Sequence, residues 1–265
     1  MIKKWLKIVF WILIFGGTIT VFVFAKKEEN KKGIESPAIS IHVDGETFLT
    51  EEELTLRLIN AGLLIQDQKN EQLDIRRIER KIASMEEVKE VNVFRQIGSK
   101  WNIRVILRKP IARIYNTIGQ TFYIDEDGFL MSRSSNHTAR VIVFSGHIND
   151  CFFKGSLSSF INNDSLKSIK KLDDVFRISN YVCNSPLMHK LIGQVYLERD
   201  GDFVLVPLVG DQKIVFGTAN TDEEVAEKFS RLTTFYKEAI SFEGWNKYSE
   251  ISVKYGGQIV CRKRS

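Results

Sequence analysis

Cysteine, histidine and proline are all scarce in this chain, and the chemistry they support is missing with them. Three cysteines, Cys151, Cys183 and Cys261, stand too far apart to form a CxxC pair, which argues against a zinc knuckle or a dithiol redox motif. Their odd number leaves at least one thiol unpaired. A Cys151–Cys183 bridge in an oxidising compartment and three buried small hydrophobes are the two readings, and burial is favoured. The four histidines, His42, His137, His147 and His189, are scattered and none belongs to an HExxH spacing. No Gly-x-Ser-x-Gly elbow, Walker loop or GxGxxG is present. A triad assembled from distant residues is still open to a single sequence, but nothing local supports one. Asp125-Glu126-Asp127-Gly128 lacks the later carboxylates of a calcium loop and reads as a hairpin turn. Asn136-His137-Thr138 fits a glycosylation sequon. Dense basic stretches are missing too, apart from Arg262-Lys263-Arg264, so nucleic acid is disfavoured as a partner. Of the net charge of +5, Lys3, Lys4 and Lys7 supply three.

What the chain does have is one long uncharged run, residues 8–25. As a helix it spans about 27 Å, close to the thickness of a bilayer's hydrocarbon core. Trp5 and Trp11 lie near one end, where indoles favour the headgroup level. Lys3, Lys4 and Lys7 precede the run, whereas Lys26 and Lys27 after it are offset by Glu28 and Glu29, which favours an N-in, C-out orientation. A cleaved signal peptide ending at Val23-Phe24-Ala25 is the competing reading. The run is longer than a usual h-region of about 7–15 residues, and an anchor is therefore preferred. Residues 1–7 are then a cytoplasmic tail, 8–25 the transmembrane helix and 26–37 a charged linker ending in Pro37.

Beyond the linker, Ile39, Ile41 and Val43 alternate into a short strand ended by Asp44-Gly45. Thr50 and Glu53 form a capping box for a helix through Ala61 with Leu54, Leu58 and Ile59 on one face. A second helix covers residues 73–84, with Ile75, Ile78, Ile82 and Met85 three and four apart. Strands at 88–95 and 101–108 follow, joined by a loop with Gly98 and Ser99. Pro110 then separates residues 38–109 from a β-rich part, 110–265. Strands are expected there at 114–116, 122–124, 129–131, 140–144, 194–198, 203–207 and 213–216, with a helix at 165–181. Thr221 and Glu224 cap a helix to about Ile240, whose apolar face is Val225, Phe229, Leu232, Tyr236 and Ile240.

Residues 250–262 alternate cleanly: Ile251, Val253, Tyr255, Ile259 and Cys261 fall on one side, and Ser252, Lys254, Gln258 and Arg262 on the other. Gly256-Gly257 interrupts the pattern and allows a bulge or a close backbone approach. A strand at the C-terminus can lie at a sheet edge and accept a strand from another protein. An interior strand paired on both sides is the other reading.

These residues resemble the FtsQ/DivIB family of bitopic bacterial cell-division proteins. Three features carry the resemblance. One is the layout: a basic N-terminus, one span, a strand–helix–helix–strand–strand unit similar to a POTRA domain, and a β domain. A second is Arg108-Lys109-Pro110-Ile111-Ala112 followed by Phe122-Tyr123-Ile124-Asp125-Glu126-Asp127-Gly128, which looks like the family's "K/R-x-P-x-A … D-x-x-G" passage. The third is Leu191-Ile192-Gly193-Gln194-Val195, Lys228-Phe229-Ser230-Arg231-Leu232 and Tyr255-Gly256-Gly257-Gln258-Ile259-Val260-Cys261, similar to Bacteroidetes versions.

The resemblance implies an α+β protein: a transmembrane helix, a POTRA-like domain, then a mainly antiparallel β domain with a C-terminal helix and edge strand. It also implies a scaffold with no enzymatic activity and no cofactor, single-pass in the cell inner membrane at the division site, with its C-terminal domain periplasmic. Its partners would be FtsB, FtsL and other divisome membrane proteins, and it would link early division proteins to septal peptidoglycan synthesis. In the family an FtsB segment pairs with the final strand and leans on the preceding helix. Matched residue by residue, that implies Lys254, Tyr255, Gly256, Gly257, Gln258 and Ile259 from the strand and Phe235, Tyr236 and Lys237 from the helix. The period-two phase of Tyr255 groups it with Ile251 and Val253, which leaves core and partner both open to it. Two other classes are weaker. A POTRA-bearing assembly or secretion factor usually carries tandem repeats and a barrel, and an envelope hydrolase needs clustered catalytic groups.

Overall fold

A computed structural model describes residues 2–31, 36–43, 48–65, 72–96, 100–134, 137–157 and 171–264. The expected Asp44-Gly45 turn, the Gly98-Ser99 loop, Asn136 of the sequon and residues 165–170 of an expected helix lie outside them. The chain divides into two compact units, Met1–Val43 with Leu49–Leu107, and Asp44–Phe48 with Arg108–Ser265.

The first unit begins with helix α1, Ile2–Lys31. Its Phe10–Glu28 stretch is long and apolar enough to cross a membrane. Phe10, Trp11, Phe15, Phe22 and Phe24 are exposed along it, a surface that suits lipid rather than water. Thr18 and Thr20 return their hydroxyls to the carbonyls of Ile14 (3.0 Å) and Gly16, so neither donor depends on solvent. The helix continues into residues 26–31, expected as linker, because lysine and glutamate are good helix formers.

The rest of this unit is β1 (Ala38–His42), α2 (Glu51–Asn60), α3 (Ile75–Ala83), β2 (Val88–Arg95) and β3 (Trp101–Leu107). The strands form a sheet in the order β1-β3-β2, with β1 parallel and β2 antiparallel to β3. Thr50 caps α2 by accepting from the Glu53 amide at 3.2 Å, and Asp74 caps α3 by accepting from Arg77 at 3.0 Å. Leu54, Leu58, Ile78 and Ile82 meet Trp101, Ile103 and Val105 in one core. Ile59, expected on the buried face, is half exposed. Only i and i+4 from Leu54 reach the sheet.

The second unit holds a ten-stranded sheet. In chain order its strands are β4 (Pro110–Tyr115), β5 (Thr121–Asp125), β6 (Phe129–Ser132), β7 (Ile142–Gly146), β8 (Gly155–Ser156), β9 (Ile192–Leu197), β10 (Phe203–Pro207), β11 (Lys213–Gly217), β12 (Tyr248–Ser252) and β13 (Val260–Lys263). Their spatial order is β13-β12-β11-β10-β9-β7-β4-β5-β6-β8. Most neighbours are antiparallel, and the pairs β4–β7, β7–β9 and β11–β12 are parallel. Pro110 opens β4 instead of standing outside it, a position where a strand tolerates a missing N–H.

Helices α4 (Leu172–Asn184), α5 (Pro186–Leu191) and α6 (Asp222–Thr234) pack into the main core with Phe122, Phe144, Phe203 and Phe216. Tyr123, between Phe122 and Ile124, points to the other face and meets Phe48 edge-on at 5.3 Å. The helix expected to run to Ile240 leaves the α form at Phe235. Residues Phe235–Ile240 are π-helical, and a short α7 (Ser241–Glu243) follows. Its expected apolar face, Val225 to Ile240, is buried throughout. None of the three cysteines forms a disulfide, and Cys151 is exposed rather than buried.

Candidate interaction site at the C-terminal sheet edge

The single strand expected over residues 250–262 is two strands and a turn. β12 ends at Ser252, residues 253–259 cross back, and β13 returns antiparallel with Ile251 opposite Cys261 and Ser252 opposite Val260. Alternation alone could not reveal the break, because the turn happens to preserve the parity of the apolar positions. Gly257 makes it possible: at φ +69° it occupies the left-handed region that a side chain disfavours. β13 is the last strand of the sheet order, so its outer backbone is a sheet edge.

The connection is pinned from two directions. Lys254 forms an ion pair with Asp202, at the start of β10, and its stem passes over Gly217, where a Cβ would meet Lys254 Cγ at 2.8 Å. From α6, Arg231 donates to the carbonyls of Val253 (3.2 Å), Tyr255 and Gln258 (3.3 Å). The Asp202 carboxylate raises the Lys254 ammonium above its ordinary value through hydrogen bonding and charge.

Around this edge the residues singled out in the sequence take different environments. Tyr255, Gly256, Gly257 and Gln258 are exposed on the turn, with Tyr255 at 52% and away from Ile251 and Val253. Ile259 is half-buried against the core. Phe235 is half-buried beside Tyr248, ring centres 5.9 Å apart, and Lys237 is exposed. Tyr236 is buried, its hydroxyl accepting from Gln212 Nε2 at 2.9 Å, and burial pushes that hydroxyl's pKa up. On β13, Val260, Arg262 and Lys263 are exposed.

The helix beneath carries its own buried chemistry. Lys228, 3% exposed, donates to the Thr218 carbonyl at 2.7 Å and to Glu224. A buried ammonium requires such partners. Phe229 stacks on Tyr181 with ring centres 4.6 Å apart and planes 6° from parallel. Arg231, Asp202 and Gly217 carry no sequence signal as site residues. Arg231 lies 24 residues from Tyr255 in sequence, and no local pattern signals a clamp made on carbonyls.

Elsewhere in the unit a cavity of about 580 Å³ is walled mainly by Pro110, Ile142, Val182, Ile192 and Leu208, with Cys183 and His189 at its side. Among the described residues no group of three or more His, Cys, Asp or Glu is arranged to hold a metal ion.

Residues 109–262, more than half of the chain, match the family model described as FtsQ/DivIB, C-terminal related. No curated protein matches the chain.

Proposed function

This chain belongs to the FtsQ/DivIB, C-terminal related family of cell-division proteins, and from that premise we propose that it is a single-pass divisome scaffold that captures FtsB and FtsL outside the membrane. The observation that carries the proposal is an edge strand, β13, flanked by an exposed turn and lying within the family-matched segment except for its last residue. Strand addition there uses backbone hydrogen bonds for affinity and the outward side chains for specificity. Exposed Tyr255 and Gln258 on the turn, with exposed Lys237 and half-buried Phe235 on the helix, are the side chains that would lean on such a strand.

The α1 helix confines the capture to the membrane surface, N-terminus inside, in the inner membrane. The smaller β1-β3-β2 sheet with its two helices serves as a POTRA-like recruitment unit ending near Leu107. The role requires binding and positioning alone, without catalysis or cofactor. Depletion in the native host tests it: cells should elongate into filaments with unconstricted septa. Normal division under complete depletion would overturn the proposal.

A further inference from the structure

We propose that Arg231 is the positioning residue of this edge: its guanidinium fork fixes the 253–258 turn and thereby sets the register in which β13 seats on β12. The consequence for partner capture rests on the reading of β13 given above; the clamp itself is a property of the free chain.

Residues 254–258 are all exposed, so side-chain packing does little to hold them. Two of them are glycines, which add backbone freedom. Against that freedom stand the Lys254–Asp202 ion pair at the start of the turn and the three carbonyls gathered by Arg231 along it. The Arg231 side chain is only 16% exposed, and its contact with Glu227, itself 61% exposed, is long at 4.0 Å. The carbonyls, more than the carboxylate, therefore orient the guanidinium. Its two terminal nitrogens divide the work: Nη2 takes Val253, and Nη1 takes Tyr255 and Gln258.

Register is what depends on it. β13 has four residues, of which Cys261 packs on the core and its two neighbours, Val260 and Arg262, are exposed on the other face. A slip of one residue would exchange Cys261 for Val260 or Arg262 and turn every side chain of the strand to the other face. Fixing the turn fixes the residue at which β13 begins. Lysine cannot substitute, because one ammonium nitrogen cannot reproduce a planar two-nitrogen fork.

The test compares the full chain in detergent micelles with its Arg231→Lys and Arg231→Ala variants, by hydrogen exchange and by titration with the purified FtsB homologue of the same organism. Both variants should exchange the amides of residues 253–263 roughly ten-fold faster while β9, β10 and β11 are unchanged. Both should also bind FtsB about ten-fold more weakly. Wild-type exchange in Arg231→Lys would reduce the role to charge and overturn the fork. Faster exchange spread over the whole sheet would make Arg231 a general stabiliser and overturn the positioning role, as would local loosening with unchanged affinity. Failure of the unaltered chain to bind FtsB would instead fall on the functional reading, with the exchange comparison still deciding the clamp.

Discussion

Arg108 donates to Asp125 at 2.9 Å, and the carboxylate it meets is wholly buried. The same carboxylate accepts from the amides of Asp127 (2.9 Å) and Phe129 (2.6 Å), closing the turn in which Gly128 adopts φ +74°. Arg108 also lies over the Phe129 ring, 3.8 Å from its centre. The spacing of Arg108, Asp125 and Gly128 is thus explained by one buried ion pair that organises the β5–β6 turn. Burial pushes the Asp125 carboxyl up, and the hydrogen bond from Arg108 opposes it. Arg108→Ala leaves that group without its countercharge and should destabilise the protein by about 3–5 kcal/mol in denaturant titration. Asp125→Asn should also destabilise, because its oxygen can keep the Asp127 and Phe129 amides only by turning an NH2 donor toward the Arg108 guanidinium.

Glu224 sets the opposite sign. Burial works against its charged form, yet hydrogen bonds from Lys228, Thr218 and the Asn220 amide hold its pKa below the ordinary value. A carboxyl depressed on folding stabilises above its unfolded pKa, and that contribution is lost as pH falls through the folded one. The stability deficit of Glu224→Gln relative to the unaltered chain should therefore be full at pH 7. It should shrink below about pH 4.3, the unperturbed glutamate value. A deficit independent of pH would show that Glu224 acts through shape and not through charge.

The two glycines of the C-terminal turn should respond differently. Neither would meet a neighbour on gaining a Cβ, but only Gly257 has a positive φ. Gly257→Ala is expected to cost about 1–2 kcal/mol and Gly256→Ala to stay within about 0.5 kcal/mol. Equal effects would mean that the turn does not depend on the left-handed position.

Thiol reactivity should separate the cysteines. Cys151 is exposed, whereas Cys183 and Cys261 are half-buried and burial pushes the Cys261 thiol up. In native protein at pH 8 one thiol should react about ten-fold faster than the others, and Cys151→Ser should abolish that phase.

Helix starts were legible because capping is local: Thr50 and Thr221 each accept from the residue three ahead, as their spacing implies. The alternation of β3 was equally plain, with Trp101, Ile103, Val105 and Leu107 all buried. Features set by distant partners were not legible. The parallel pairings of β4, β7 and β9 join segments many residues apart, and β8 and α5 are too short for a period to register. At the candidate site, sequence phase assigned Tyr255 to the side of Ile251, and the Gly257 turn took it out to solvent. Arg231 has no sequence signature as a site residue because its role is a contact between helix and turn, invisible in either alone.

A division partner that adds to the β13 edge would cover the backbone amides of that strand. Hydrogen exchange on the full chain in a membrane mimetic, with and without the FtsB–FtsL pair, tests that addition most directly. Exchange should slow in residues 254–263, with little change at β8, at the other end of the sheet order. Binding with protection elsewhere and none at β13 would contradict strand addition there.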